Sequence, residues 1–287
     1  MKISEKRRLT GVAFILPFLS GFTLFYLAPF VWSIGRTFMS GAGDTVFVGF
    51  NNYMIVFKST AFHLAAFNTF RFILLGVPLI MLGAFLLAFL LRKKFRGSSF
   101  FRSVFLYPLV VPIASLVMAT DILFSQSGAV NSLFSALHLP VQDWLHSSSA
   151  FWVLILVYVW KNCGYNIVLI LAGLNAIPEE YEQIAKLEGA SKLQSIRYVT
   201  LPLLVPNLFF VLVISIINSF KCFREAYLLG GANPDSSIYM LQHFMNNNFV
   251  NLNYQRLSVA ALLVFIIIFV FVLLLFMLKR RIGEVSL

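Results

Sequence analysis

Six apolar runs, each too long and too poor in charge to belong to a water-soluble domain, set the terms for this chain. They cover about 11–34, 67–91, 104–125, 150–174, 207–228 and 257–278. A helix rising about 1.5 Å per residue needs roughly 20 residues to cross about 30 Å of hydrocarbon, and every run meets or approaches that length. Lipid supplies no hydrogen bonds, so a spanning segment must satisfy its own backbone, which a helix does. The alternating strands of roughly ten residues that build a membrane barrel are absent. The expected fold class is all-α: a polytopic membrane protein with six transmembrane helices, forming one transmembrane domain over 1–287.

Composition agrees. Of 287 residues, 60% are hydrophobic and 11% charged, where soluble domains run near half and about a quarter. A net charge of +11 raises the question of nucleic acid. The basic residues, however, sit in short clusters between apolar runs, without a basic face or recognition motif, so no nucleic-acid partner is expected. Those clusters instead orient the chain. They lie at the N-terminus (Lys2, Lys6, Arg7, Arg8), after the second run (Arg92, Lys93, Lys94, Arg96, Arg102), after the fourth (Lys186, Lys192, Arg197) and at the C-terminus (Lys279, Arg280, Arg281). The opposite connections carry only Arg36, Lys58 and Arg256. Both termini are therefore expected in the cytoplasm. The basic start followed by an apolar run is like a signal peptide. The run is longer than a signal core and ends at no small-residue cleavage site, so it should remain as the first helix.

The outer connections, about 35–66, 126–149 and 229–256, hold turn formers such as Gly41, Asn51, Gly230, Gly231 and Pro234, and should be loops or short interfacial helices. The cytoplasmic loop at 176–206 is more informative. Pro178 suits the first turn of a helix, and Glu179, Glu180 and Glu182 favour its positive dipole end. Tyr181, Ile184, Ala185 and Leu187 make an apolar stripe, and Glu182 with Lys186 can pair at i,i+4. Gly189 can end that helix in the left-handed conformation. Ser191 can cap a second helix holding Leu193, Ile196 and Tyr198, after which Pro202 and Pro206 turn the chain back toward the membrane. The pattern predicts two short helices at an angle with an apolar ridge, either a membrane-surface anchor or a docking device.

Residues 177–207, IPEEYEQIAKLEGASKLQSIRYVTLPLLVPN, resemble the cytoplasmic loop of binding-protein-dependent ABC importer permeases. The matching positions are Ile177, Pro178, Glu180, Ala185, Gly189, Ala190, Ser191 and Leu201 to Leu204. VGFNNY (Val48 to Tyr53), Asn68-Thr69, LAGLNAIP (Leu171 to Pro178) and FREAYLLGG (Phe223 to Gly231) resemble the carbohydrate-type branch. Two positions depart from the pattern. The family's loop glutamate falls on Gln183, with Ile184 where an alanine is usual, and Glu188 replaces the aspartate before the glycine. Gln183 keeps length and hydrogen-bonding capacity without the charge, and docking through the ridge and Gly189 does not need that charge.

The resemblance implies a type I importer permease in the cytoplasmic membrane of a prokaryote, forming half of a pathway for a sugar or related solute. It implies a second, non-identical permease, two copies of a cytoplasmic ABC ATPase and an extracytoplasmic solute-binding protein. The ATPase-coupling residues would be Glu180, Glu182, Gln183, Ile184, Ala185, Glu188, Gly189, Ala190 and Ser191. No phosphate-binding G-x-x-x-x-G-K-[ST] loop is present, so ATP and magnesium belong to the partner, and this chain is expected to bind no cofactor and to be no enzyme.

Polar residues inside spans are costly in lipid and line a water-filled path or a partner helix. The candidates for a substrate path are Lys161, Asn162 and Tyr165 in the fourth run and Ser215, Asn218, Ser219 and Lys221 in the fifth, with Arg224 and Glu225 nearby. Helix–helix hydrogen bonding and snorkelling are the competing roles. Arg71 and Asp121 could pair, or serve an ion- or proton-coupled secondary transporter, the alternative function. No carboxylate–histidine chain supports that alternative, and a membrane enzyme or scaffold lacks any catalytic constellation. His63, His138, His146 and His243 lack metal-ligand spacing, and Cys163 and Cys222 make no disulfide framework.

Overall fold

The computed structural model describes residues 3–41, 46–93, 95–220 and 222–285. Among them six helices are long and apolar enough to cross a membrane: Thr10–Arg36, Thr60–Arg92, Ile113–Ala136, Ala150–Ala176, Lys192–Gly230 and Tyr254–Met277. In chain order, α1 (Ile3–Phe22) passes through a π-turn at Thr23–Leu27 into α2 (Ala28–Arg36). Strands β1 (Met39–Ser40) and β2 (Val46–Phe47) form an antiparallel ladder, Met39 opposite Phe47, before α3 (Asn51–Phe57) and α4 (Thr60–Arg92). Then come α5 (Ser98–Val110), α6 (Ile113–Phe124), α7 (Ala129–Ala136), α8 (Ala150–Ala176) and α9 (Glu179–Leu187). The remainder holds α10 (Lys192–Ser195), a π-turn at Ile196–Thr200, α11 (Leu201–Phe220), α12 (Phe223–Gly230), a 3-10 turn at Ser236–Ile238, α13 (Leu241–Val250) and α14 (Tyr254–Val285).

Prolines account for two departures from the expected spans. The run at 104–125 is two helices, because Pro112 has no N–H and its ring drives Val111 into extended backbone (φ −64°, ψ 128°). Pro202 and Pro206 do not turn the chain back. Both lie inside α11, which continues from the π-turn at Ile196–Thr200. That wider turn includes Tyr198, whose carbonyl Pro202 cannot serve, so the ladder reorganises without breaking. The same device recurs at Thr23–Leu27, ahead of Pro29. Consequently α10 is the first turn of a long helical run, and the expected free-standing second helix of the loop is absent.

The chain packs as two compact units, 1–62 with 245–267 and 63–244 with 268–287. In the first, the Asn52 amide donates to the Thr37 and Met39 carbonyls at 2.9 and 2.8 Å, and the Tyr53 hydroxyl meets Thr37 Oγ1 at 2.7 Å. The FNNY stretch thus pins the end of α2. Phe30 packs on Phe265 with ring centroids 4.9 Å apart, and Gln255 donates to the Gly41 carbonyl.

In the second unit α8 is the axis. Phe151, Leu154 and Tyr158 pack with Phe72 and Ile80 of α4 and Ala226 of α12. Further along, Ile167, Ile170 and Leu174 pack with Ala84 and Ala88 of α4 and Val211 of α11. Gly164 lets α5 approach closely, since a Cβ there would run into the Phe105 carbonyl. The Asn68 amide donates to the Ser236 and Tyr239 carbonyls at 2.6 and 3.0 Å, and Thr69 Oγ1 accepts from Leu241 N at 2.9 Å. The Asn68-Thr69 pair, well inside α4, therefore holds the 236–241 segment. Beside it His243 is buried against Phe223, Tyr227 and Tyr239, and its Nδ1 accepts from Met240 N at 3.1 Å.

Two outcomes follow from this packing. Gly164→Ala should destabilise the detergent-purified protein by about 1–3 kcal/mol through overpacking, seen as a lower melting temperature. Gly83→Ala, whose Cβ would meet only Cys163 Sγ at 4.0 Å, should melt like wild type, and equal melting of both variants would contradict the close approach. Burial holds the His243 pKa down at about 4, from an ordinary 6.5. A folded state that resists the proton keeps its full stability above pH about 6.5 and loses it progressively as pH falls toward 4. Backbone amides of Met240–His243 should then exchange faster at pH 5 than at pH 7, after correction for intrinsic rates. His243→Gln should flatten that difference, and an unchanged profile would contradict it.

Candidate functional site

Two features gather the polar residues of the second unit. The first is a cavity of about 900 Å³. From α8 it takes Tyr158, Lys161, Asn162 and Tyr165, which recur at i, i+3, i+4 and i+7 and so share one helix face. From α11 it takes Ile214, Ile217 and Asn218, from α12 Phe223, Arg224 and Glu225, and from α13 Gln242. The Lys161 ammonium lies 2.5 Å from Glu225 Oε1, with side chains only 12% and 6% exposed. Glu225 Oε2 is buried without a hydrogen-bond partner among the described residues. Asn162 donates to the Tyr158 carbonyl at 2.9 Å, which orients its amide along α8.

Of the sequence's path residues, Lys161, Asn162, Tyr165 and Asn218 line this cavity. Ser215 and Ser219 do not. Each residue step turns a helix by about 100°, so these two face α8 or their own backbone while Asn218 faces the cavity. Ser215 Oγ accepts from Asn166 at 2.8 Å, its carbonyl accepts from the Tyr158 hydroxyl at 3.0 Å, and Ser219 Oγ donates to the Ile216 carbonyl at 2.6 Å. They are helix–helix and intrahelical bonds. Lys221 lies outside the described residues. Arg71 and Asp121 form no pair; the Arg71 guanidinium sits 3.9 Å over the Phe151 ring, and Asp121 is exposed. Asp143 and His146 do meet, at 3.2 Å, on an exposed turn where the His146 backbone N–H holds the Asp143 carboxyl below its ordinary range.

The second feature is the segment after α8. Pro178 is the N-cap, one position earlier than expected, and Glu179, Glu180 and Glu182 occupy the first turn of α9. Glu182 pairs with Arg92 at the end of α4, in place of the expected Lys186. A cavity of about 480 Å³ beside this pair is lined by Lys93, Asn175, Gln183 and Lys186 among others. Gly189 has φ +80° and closes α9 by a Schellman motif: Ala190 N donates to Ala185 O at 2.9 Å and Gly189 N to Lys186 O at 3.1 Å. Ser191 and Gln194 form a capping box at the next helix. Ala185 is buried beneath α9, whereas Tyr181, Ile184, Leu187 and Leu193 stand exposed as an apolar ridge. Gln183, Glu180, Glu188 and Ser191 are exposed around it, and Ala190 is half-buried.

Sequence reasoning did not single out Asn166 or Gln242. Asn166 follows Asn162 by one helical turn in the same span, a periodicity that could have flagged it. Gln242 stands in a connection far along the chain, and nothing local marks it.

Residues 76–284 match the family described as the binding-protein-dependent transport system inner membrane component. The chain is 32% identical over 251 residues to the probable ABC transporter permease protein YesP of Bacillus subtilis, covering 84% of this chain and 81% of that one. It is 29% identical to the trehalose/maltose transport system permease protein MalF of Thermococcus litoralis, covering 81% of each. To the arabinooligosaccharides transport system permease protein AraP of Bacillus subtilis it is 31% identical, covering 78% of this chain and 73% of the relative. In fold it is similar to a chain of a bacterial alginate ABC transporter crystallised with its alginate pentasaccharide-bound periplasmic protein, with a TM-score of 0.85 over 96% of both chains at 22% identity. The chain belongs to the family of inner-membrane components of binding-protein-dependent transport systems, the permease subunits of ABC importers, and has the type I importer permease fold.

Proposed function

We propose that this permease forms half of an alternating-access pathway for a sugar or oligosaccharide in the cytoplasmic membrane of a prokaryote, both termini facing the cytoplasm. The observation that carries the reading is the polar cavity of about 900 Å³, whose amides and phenol among apolar spans suit transient contacts with sugar hydroxyls. The relatives named for trehalose, maltose and arabinooligosaccharides support the solute class. A loaded extracytoplasmic binding protein docks on the outer connections. A second, non-identical permease supplies the other half of the path, and two copies of a cytoplasmic ABC ATPase bind the ATP and magnesium.

Coupling runs through the 176–206 loop. The ridge of Tyr181, Ile184 and Leu187 is the docking face, and its capped, closed geometry lets α9 move as a rigid body and carry force into α8 and α11. Glu180, Gln183, Glu188, Gly189 and Ser191 rim that face; Ala185 fastens it from beneath, and Glu182 ties it to α4 through Arg92. No observation favours ion-coupled transport, since Arg71 lies against Phe151 instead of forming a relay with Asp121.

Reconstitution tests the reading directly. The chain with its partner permease, ATPase and binding protein in proteoliposomes should import at least one of maltotriose, trehalose and arabinotriose when ATP is supplied on the ATPase side. Import should persist with an uncoupler. Import of none of the three, or import that an uncoupler abolishes while ATP remains, would overturn it. At Gly189 the left-handed backbone costs a β-branched residue about 1–2 kcal/mol, whereas asparagine tolerates it. Gly189→Val should lower import more than ATP hydrolysis, and Gly189→Asn should lie near wild type. Equal ratios of import to hydrolysis in wild type and Gly189→Val would contradict the coupling role.

A further inference from the structure

The charge left over on the wall of the larger cavity points to the solute it favours, an inference that rests on that cavity's proposed role as the solute path. The charged side chains of the wall are two cations, Lys161 and Arg224, and one anion, Glu225. Lys161 and Glu225 are both largely buried and lie 2.5 Å apart, so they neutralise each other. Arg224 is exposed, and among the described residues it has neither a hydrogen bond nor an ion pair. The wall is therefore net cationic, and the surplus charge is the Arg224 guanidinium. An unpaired cation inside a membrane protein is costly and marks a path or a partner. Water can hydrate it in the empty state, and a solute that displaces this water must bring an acceptor of its own.

The chemistry of the guanidinium decides which acceptor. It offers a planar fork of N–H donors and accepts nothing, so it pairs with a carboxylate through two parallel bonds and gains the opposite charge as well. A hydroxyl oxygen accepts from one arm of the fork and brings no charge. A phosphate monoester fits the fork but carries about −1.5 to −2 charges at neutral pH, more than the wall balances, whereas one carboxylate balances it. An ammonium is repelled. Asn162, Asn218 and Gln242 donate and accept along the same wall, which suits the hydroxyls of the rest of a sugar. Neutral sugars use those amides too and forgo only the charged bond. We propose that Arg224 is a specificity-determining residue: its guanidinium receives the carboxylate of a uronate-bearing oligosaccharide, which the path favours over the neutral sugar of the same size.

The complex of this chain with its partner permease and ATPase in nanodiscs tests this without the binding protein, so the selectivity read is that of the membrane path. Equilibrium binding of maltotriose, trehalose and arabinotriose is compared with that of their mono-uronates, in which one primary alcohol carbon is oxidised to a carboxylate. For at least one sugar the wild-type complex should bind the mono-uronate about tenfold more tightly than the parent. Arg224→Gln should bring that ratio to about one. Arg224→Lys, which keeps the charge and loses the fork, should fall between. A merely structural role for Arg224 would weaken both ligands alike and leave the ratio unchanged. Copurification of the subunits checks assembly, and if Arg224→Gln does not assemble, Arg224→Lys is read alone. A wild-type ratio of one or below, as when a carboxylate of the partner permease holds Arg224, would overturn the proposal and leave the cavity as a path for neutral sugars. So would a wild-type ratio that persists in the variant that assembles. Binding of neither form of any of the three sugars would instead remove the reading of the cavity as a solute path, and this inference with it.

Discussion

Hydrocarbon offers the backbone no hydrogen-bond partner, and that one constraint organises the protein. Each apolar run must close its own ladder, so the six spans are helices and the interruptions are few. Three of them fall beside prolines and are handled in two ways. Near Pro29 and Pro202 a π-turn reorganises the ladder, while at Pro112 the chain leaves the helix for two residues and restarts. The interruption between α5 and α6 lies at the larger cavity, since Leu109 and Ile113 on either side of it both line it.

A second constraint follows from the first. Polar side chains in lipid need partners, and α8 is where they find them. One strip of α8 is apolar and packs on α4 and α11, Asn166 and Tyr158 bond to Ser215, and Lys161 meets Glu225. Burying the cation beside a carboxylate makes both tolerable, since either alone would be an uncompensated charge. Thus the same helix that anchors the unit's core also carries the polar wall of the cavity. Its far end leads through Ile177 and Pro178 into α9, so α8 joins the cavity wall to the proposed docking face.

How much of this was legible depended on the range of each interaction. Span number followed from run length alone, and Gly189 and Ser191 were identifiable because helix capping is decided within a few residues. Long-range partners were not. Glu182 had an obvious local mate in Lys186 yet pairs with Arg92, 90 residues away, and Lys161 finds Glu225 across 64 residues. Ser215, Asn218 and Ser219 read alike as polar residues in a span, but the cavity takes only Asn218, because facing is set by which neighbours α11 packs against. Pro108 and Pro112 are equally visible in sequence. Pro108 stays inside α5, buried, while Pro112 breaks the span, and only tertiary packing separates them. The FNNY and Asn-Thr stretches were noted for resemblance, and the structure supplies their physical role as clamps on neighbouring backbone.

The central claim is that the α8 face bearing Lys161, Asn162 and Tyr165, opposite Asn218, is the solute's route through the membrane. A cryo-electron microscopy structure of the assembled transporter, trapped during import with a neutral oligosaccharide, addresses it most directly. The account predicts solute density within hydrogen-bonding distance of Asn162, Tyr165 or Asn218. Density on another surface of this chain, with these three side chains sealed against neighbouring helices, would contradict it.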